Sequence, residues 1–168
     1  VLEVDGELDA TFAAPSIGSS TGGGSIGVGS IALLGDKIMV GRTNFVPLRL
    51  LATGMADTGF ASLTGNNDVD AIAIQSDGKA LIGGNFTLFG ALPRNRLARL
   101  NADGTIDSTF NPVVNSDVNT IAVQPDGKIL IGGEFTTINS TPRNRIARLN
   151  TDGTLDASFD PNMNSSVW

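Results

Sequence analysis

The segment from Ile72 to Pro112 returns, shifted by 49 residues, as Ile121 to Pro161, and no other feature limits the fold so strongly. Gln75-Ser-Asp-Gly-Lys-Ala-Leu-Ile-Gly-Gly-Asn-Phe86 becomes Gln124-Pro-Asp-Gly-Lys-Ile-Leu-Ile-Gly-Gly-Glu-Phe135, and Pro93-Arg-Asn-Arg96 becomes Pro142-Arg-Asn-Arg145. A unit of this size is too short to bury a core alone, so it must stack on its neighbours, as solenoid repeats and propeller blades do. Asp103-Gly-Thr-Ile-Asp-Ser-Thr-Phe110 and Asp152-Gly-Thr-Leu-Asp-Ala-Ser-Phe159 have a partner in Asp5-Gly-Glu-Leu-Asp-Ala-Thr-Phe12 and a worn one in Gly54-Met-Ala-Asp-Thr-Gly-Phe60. Their last residues, Phe12, Phe60, Phe110 and Phe159, are spaced 48, 50 and 49 apart. The array divides into a half repeat (1–12), a degenerate repeat (13–60), two clear repeats (61–110 and 111–159) and the start of another (160–168).

Within a repeat, residues 119–124, 128–135, 145–150 and 155–159 each read as a strand by alternation and β-branched content. Asp-Gly pairs stand at the junctions, at Asp5-Gly6, Asp77-Gly78, Asp103-Gly104, Asp126-Gly127 and Asp152-Gly153. Asp-Gly suits the primed hairpin turns, whose central residues have φ > 0. Four short antiparallel strands in such a repeat predict an all-β fold: a propeller-like array of four-stranded blades, about three repeats plus a half. Gly is abundant, at 21 of 168 residues, and the hydrophobic fraction of 40% suffices for a packed core. Phe12, Phe60, Phe86, Phe110, Phe135 and Phe159 recur at equivalent positions and read as core wedges rather than sugar-stacking residues. Gly83-Gly84 and Gly132-Gly133 read as a bulge or a close contact between blades, not a phosphate cradle, since no Lys-Ser/Thr and no helix follow.

The pattern Ile-Ala-Val-Gln-Pro-Asp-Gly-Lys-Ile-Leu-Ile-Gly-Gly-Glu-Phe135, followed by Arg143-Asn-Arg-Ile-Ala-Arg-Leu-Asn150 and Asp152-Gly-Thr-Leu-Asp-Ala-Ser-Phe159, resembles the bacterial delta-60 repeat family. The resemblance covers residues 66–161 closely and 1–60 loosely. It implies a propeller-like module of large secreted, cell-surface or virion-associated bacterial and phage proteins. It carries over no catalytic residues.

The chemistry available is narrow. With no Cys there is no disulfide framework, thiol nucleophile or Cys-based zinc site, and with no His the usual neutral-pH general base and a Ser-His-Asp triad are missing. No cofactor or metal site is expected. A net charge of −6 and a pI near 4.4 argue against nucleic-acid binding. No apolar run is long enough to span a membrane. A chain starting at Val1 without a signal-like segment reads as a processed or excised piece.

Arg94, Arg96, Arg143 and Arg145 are candidate contact residues, since guanidinium forks bind carboxylates. The structural alternative is that they pair with Asp107, Asp156 or neighbouring carboxylates and pin a loop between blades. Arg99 and Arg148, inside the third strand, read as structural. Asn101-Ala-Asp103-Gly104 and Asn150-Thr-Asp152-Gly153 look like the middle of a calcium loop, but Arg99 and Arg148 stand where an oxygen ligand belongs, so these are turns. Repeat one carries a Gly/Ser-rich insertion from Ser16 to Gly29 and lacks the Pro-Arg-Asn-Arg loop. That insertion makes Ser20, Gly23 and Ser25 contact candidates as well. Trp168, the sole tryptophan, receives no assignment.

Propellers close with about four to eight blades. Three repeats therefore need further repeats, a second copy of the chain or another protein to cover their ends. The expected function is a non-enzymatic scaffold outside the cell or on a phage particle. It would present the loops at 16–29, 88–93 and 138–142 to a protein or a glycan. The alternatives are a propeller-based carbohydrate-active enzyme, with Asp36, Asp77 and Asp126 as turn carboxylates, and a filament subunit growing head to tail.

Overall fold

A computed structural model describes residues 27–42, 47–61 and 63–168, and among them there are strands and turns but no helix. The strands are β1 (Val28–Leu34), β2 (Lys37–Arg42), β3 (Leu48–Leu50), β4 (Val69–Ile74), β5 (Ala80–Gly84), β6 (Leu88–Phe89), β7 (Leu92–Pro93), β8 (Leu97–Leu100), β9 (Val118–Val123), β10 (Ile129–Gly133), β11 (Thr137–Ile138), β12 (Thr141–Pro142) and β13 (Ile146–Leu149). They form three antiparallel three-stranded sheets, ordered β1-β2-β3, β4-β5-β8 and β9-β10-β13, and two small hairpins, β6-β7 and β11-β12. The fold class is the expected one, a propeller-like β array.

The expected fourth strand of each repeat is reduced to one residue. Ala56, Ile106 and Leu155 make isolated bridges to Leu50, Leu100 and Leu149. Beyond the bridge the chain turns at once, because Asp57, Asp107 and Asp156 capture nearby amides: Gly59 N–H, Thr109 N–H and Ser158 N–H each donate to the Asp Oδ1 at about 3.0 Å.

The Asp-Gly turns differ from expectation too. At Gln75-Ser-Asp-Gly78 the Gly78 N–H donates to Gln75 O (2.9 Å) and the Gln75 N–H to Lys79 O (2.9 Å). Only Gly78 has positive φ (82°), as does Gly127 (82°) in the next repeat. This is a type I turn closed by a left-handed glycine, not a primed turn. Positive φ at both central residues occurs instead in the segments expected to be open loops, at Gly90-Ala91 (55°, 63°) and Asn139-Ser140 (48°, 63°). Residues 88–93 and 137–142 are thus tight hairpins. Asn66 and Asn115 bracket them: Oδ1 of Asn115 accepts from the Thr136 and Thr137 amides (both 2.9 Å), and Asn66 does the same for Thr87 and Leu88.

The core lies between sheets rather than within them. One cluster joins Met39 and Phe60 of repeat one to Val69, Ile82, Phe86 and Phe89 of repeat two. The other joins Leu81, Leu97 and Phe110 of repeat two to Val118, Ile131, Phe135 and Ile138 of repeat three. Phe86, Phe89, Phe110 and Phe135 are completely buried, each contributing about 1.5–3 kcal/mol. Phe60 is buried and Phe159 half-buried, while Phe12 lies outside the described residues. The double glycines mark both features expected of them. The ladder slips between Val69 and Ala71 opposite Gly84 and Gly83, so Asp70 is a bulge residue; Asn119 and Gly29 sit in the same slip of their own first strands. A Cβ on Gly83 would lie 2.7 Å from Val118 Cγ1 of the next repeat.

Candidate functional site

The chemistry that recurs in each described repeat is a stack of Arg, Asp, Lys and Phe. The third strand carries Arg49, Arg99 or Arg148, and eight residues on stand Asp57, Asp107 or Asp156. Each Arg Nε donates to that carboxylate at 2.9 Å. Lys37, Lys79 and Lys128, on the second strand or the turn leading into it, reach the same oxygen at 3.0, 2.9 and 2.8 Å. The guanidinium lies over the ring of Phe60, Phe110 or Phe159, at 4.4, 4.4 and 4.7 Å from the centroid. Charge, hydrogen bonds and a ring face therefore meet in one stack, with the cation–π contact adding to the pairing.

Two of these stacks reach into the following repeat. Arg49 Nη1 donates to the Ala102 carbonyl and Arg99 Nη1 to the Thr151 carbonyl, both at 2.5 Å. The turn supplying each carbonyl presses its glycine onto the aromatic ring. A Cβ on Gly104 would stand 2.9 Å from Phe60 Cδ2, and one on Gly153 would stand 2.8 Å from Phe110 Cδ2. This close approach, together with φ of 87° and 91°, is why glycine occupies these turns. At its other end the interface closes with a valine on a glycine: Val69 on Gly41, Val118 on Gly83 and Val167 on Gly132.

The electrostatics follow from this packing. Asp107 feels burial pushing its carboxyl up, but the Thr109 hydroxyl, Lys79 and Arg99 outweigh that and hold it far below the usual carboxylate range. Asp156 is held equally low, first by Lys128 and then by Ser158. Asp57 is lowered chiefly by Lys37.

The four candidate arginines do not use Asp107 or Asp156, because Arg99 and Arg148 already occupy those carboxylates. Arg96 reaches Asp117 of the next repeat at 3.4 Å, and its Nη1 donates to the Asn85 carbonyl. Arg145 Nη1 donates to the Glu134 carbonyl. Arg143 is buried, bonded to Pro142 O at 2.7 Å and to Asp160 at 3.4 Å. Arg94 is also buried, but among the described residues it bonds only Pro93 O, at 2.7 Å; the Nε atoms of both arginines have no partner there. Ser20, Gly23 and Ser25 lie outside the described residues, as does most of the 16–29 insertion. Of the turn carboxylates, Asp77 and Asp126 accept the Lys79 and Lys128 amides of their own turns, at 3.1 and 3.0 Å. In the two turns that look like calcium loops, Asp103 and Asp152 accept from the Thr105 and Thr154 amides and hydroxyls. Sequence reasoning found the Arg99 and Arg148 strand positions but not the stack. Its signal was the constant eight-residue step from Arg to Asp and the three further residues to Phe.

Interlocked three-stranded sheets with cores at their mutual faces define a protein of β-propeller repeat class. Residues 75–110 and 124–159 match the family model described as a domain of unknown function (DUF5122) beta-propeller. The two matched stretches begin and end at the same points of the repeat, from the Gln-x-Asp-Gly turn to the clamped Phe. No curated protein gives a significant match to the chain.

Proposed function

We propose that the chain is a non-enzymatic scaffold of the delta-60 type, part of a secreted, cell-surface or virion-associated propeller that presents surface elements to a protein or glycan partner. The observation that carries this reading is where the repeating polar residues are used. The Arg-Asp-Lys sets and the Asp and Asn side chains at the turns are engaged in holding one repeat against the next or in closing their own turns. What projects is the β6–β7 and β11–β12 hairpins; on the first, Leu88 and Leu92 in the strands flanking the Gly90-Ala91 turn are 42% and 45% accessible. Rigid display of this kind supports binding more than turnover.

A partner that covers the first repeat belongs to the same proposal. On β1, Val28, Ile31 and Leu33 are exposed by 51%, 62% and 72%, while Val69 and Ile72, which hold the first two of these places in β4, are buried on repeat one. Further repeats, a second copy of the chain or another protein would cover that stripe. The experiment is a glycan array and a defined-ligand binding screen with the intact chain and the double variant Leu88→Ser, Leu92→Ser. Binding that the variant loses at unchanged Tm is the expected result. Turnover of any glycan substrate would overturn the proposal in favour of the enzyme reading.

A further inference from the structure

One cavity, of about 340 Å3, is lined by Gly29, Asp70, Asp117, Asn119, Glu134 and Trp168. Gly29, Asp70 and Asn119 are the bulge residues of β1, β4 and β9. Trp168 follows Val167, which occupies on Gly132 the seat that Val118 occupies on Gly83, so Trp168 holds the same place in the period as Asn119. Four successive copies of one position therefore face one space. A bulge releases its extra residue from the ladder and re-aims its side chain, here at Asp70 and Asn119, while Gly29 leaves its place open.

The lining is chemically mixed. Trp168 offers an indole that is 81% exposed and packs on no other ring among the described residues. Asp117 is held by Arg96, whereas the carboxylates of Asp70 and Glu134 have no partner among the described residues. Burial first, and then Asp68 and Asp117, push the Asp70 carboxyl up; the lining itself carries three carboxylates and no cationic side chain. Among the described residues no three acidic groups lie close enough to hold a metal ion. An anion would be repelled, and a wholly apolar ligand would leave the carboxylates and the Asn119 amide without donors. The fitting ligand is small, has one apolar face, carries O–H and N–H donors on its rim and bears a positive charge.

A larger cavity of about 510 Å3 between the turns of repeats two and three has no such property. Its Lys79 and Arg99 are held by Asp107, and the unpaired Gln75 and Gln124 Oε1 atoms are enclosed.

We propose that the cavity of the bulge residues binds a hexosamine. The CH face of the pyranose stacks on Trp168, and the protonated amine with its neighbouring hydroxyls is directed at Asp70 and Glu134. This goes beyond the scaffold reading, since it needs neither the hairpin tips nor a partner protein. Trp168 is the only tryptophan and the chain has no tyrosine, so intrinsic emission reports this cavity alone. At about pH 6, where an amine of this class is protonated, glucosamine, glucose and methylamine are titrated into the intact chain. Glucosamine should give a saturable blue shift, with glucose and methylamine each at least about tenfold weaker, the loss of one charge-assisted hydrogen bond or of the stacked face. Asp70→Asn should weaken glucosamine about tenfold and glucose much less, so that the preference for glucosamine falls. Trp168→Ala, followed by calorimetry, should weaken both sugars. No saturable shift, methylamine equal to glucosamine, or an Asp70→Asn variant with undiminished preference for glucosamine would each overturn the proposal.

Discussion

Arg94 and Arg143 stand at the same place in successive repeats and are similarly buried, but among the described residues only Arg143 has a carboxylate, because position 160 is Asp where position 111 is Asn. A guanidinium enclosed without a counter-charge is costly. Asn111→Asp should therefore stabilise the fold, by about 0.5–1 kcal/mol, since the new carboxylate would be half exposed like Asp160. The denaturant midpoint checks this, and an unchanged or lower midpoint would refute it. Glycines give the opposite sign. A Cβ on Gly133 would sit 2.0 Å from the Asp117 carbonyl oxygen, a backbone atom unable to withdraw, so Gly133→Ala should cost about 3 kcal/mol. Gly35→Ala meets nothing within 4 Å and should cost only about 1 kcal/mol, for its φ of 58°. Thermal melts of the two variants side by side separate the causes.

Between residue and repeat, the sequence was legible where a side chain's neighbours lie along its own strand and less so where they lie across a gap. Strand positions, the bulges at the double glycines and the Phe wedges follow from alternation and recurrence. The hairpins at 88–93 and 137–142 did not, since Gly90-Ala91 and Asn139-Ser140 carry weaker turn signals than Asp-Gly, and the bracket that fixes each comes from Asn66 or Asn115, more than 20 residues upstream. The fourth strand was overread because Leu155-Asp-Ala-Ser-Phe159 alternates like a strand, whereas Asp156 turns the chain by bonding the Ser158 amide and hydroxyl. The bracket itself can be tested. Asn115→Ala removes the acceptor of the Thr136 and Thr137 amides, and should cost about 1 kcal/mol. Hydrogen exchange should accelerate at those amides while β9 and β10 keep their protection. Uniform acceleration across the repeat would show that the hairpin is not held locally.

Across the whole molecule, stability resides in the contacts between repeats, as the two cores and the Arg clamps show, and the repeat count alone made that much legible. Which residues clamp was hidden, because Arg99 and the Thr151 carbonyl it binds are 52 residues apart and only stacking unites them. The clamp makes a sharp claim about acid. A carboxyl whose folded value lies below its unfolded value of about 3.9 adds stability that is fully present above the unfolded value and is lost as pH falls toward the folded one. Asp107 and Asp156 are both of this kind. The protein should hold its stability down to about pH 4 and lose it progressively below. Asp70, shifted the other way, works against folding when ionised and so offsets a little of that loss. Asp107→Asn should be less stable than the parent at neutral pH, because Arg99 and Lys79 then lose their shared anion, and the difference should narrow as pH falls and the parent's own carboxyl is neutralised. Denaturant unfolding of both proteins from neutral pH to about pH 2 measures that narrowing. Parallel curves across the acid range would mean that the Arg-Asp-Lys stack does not carry the coupling between repeats.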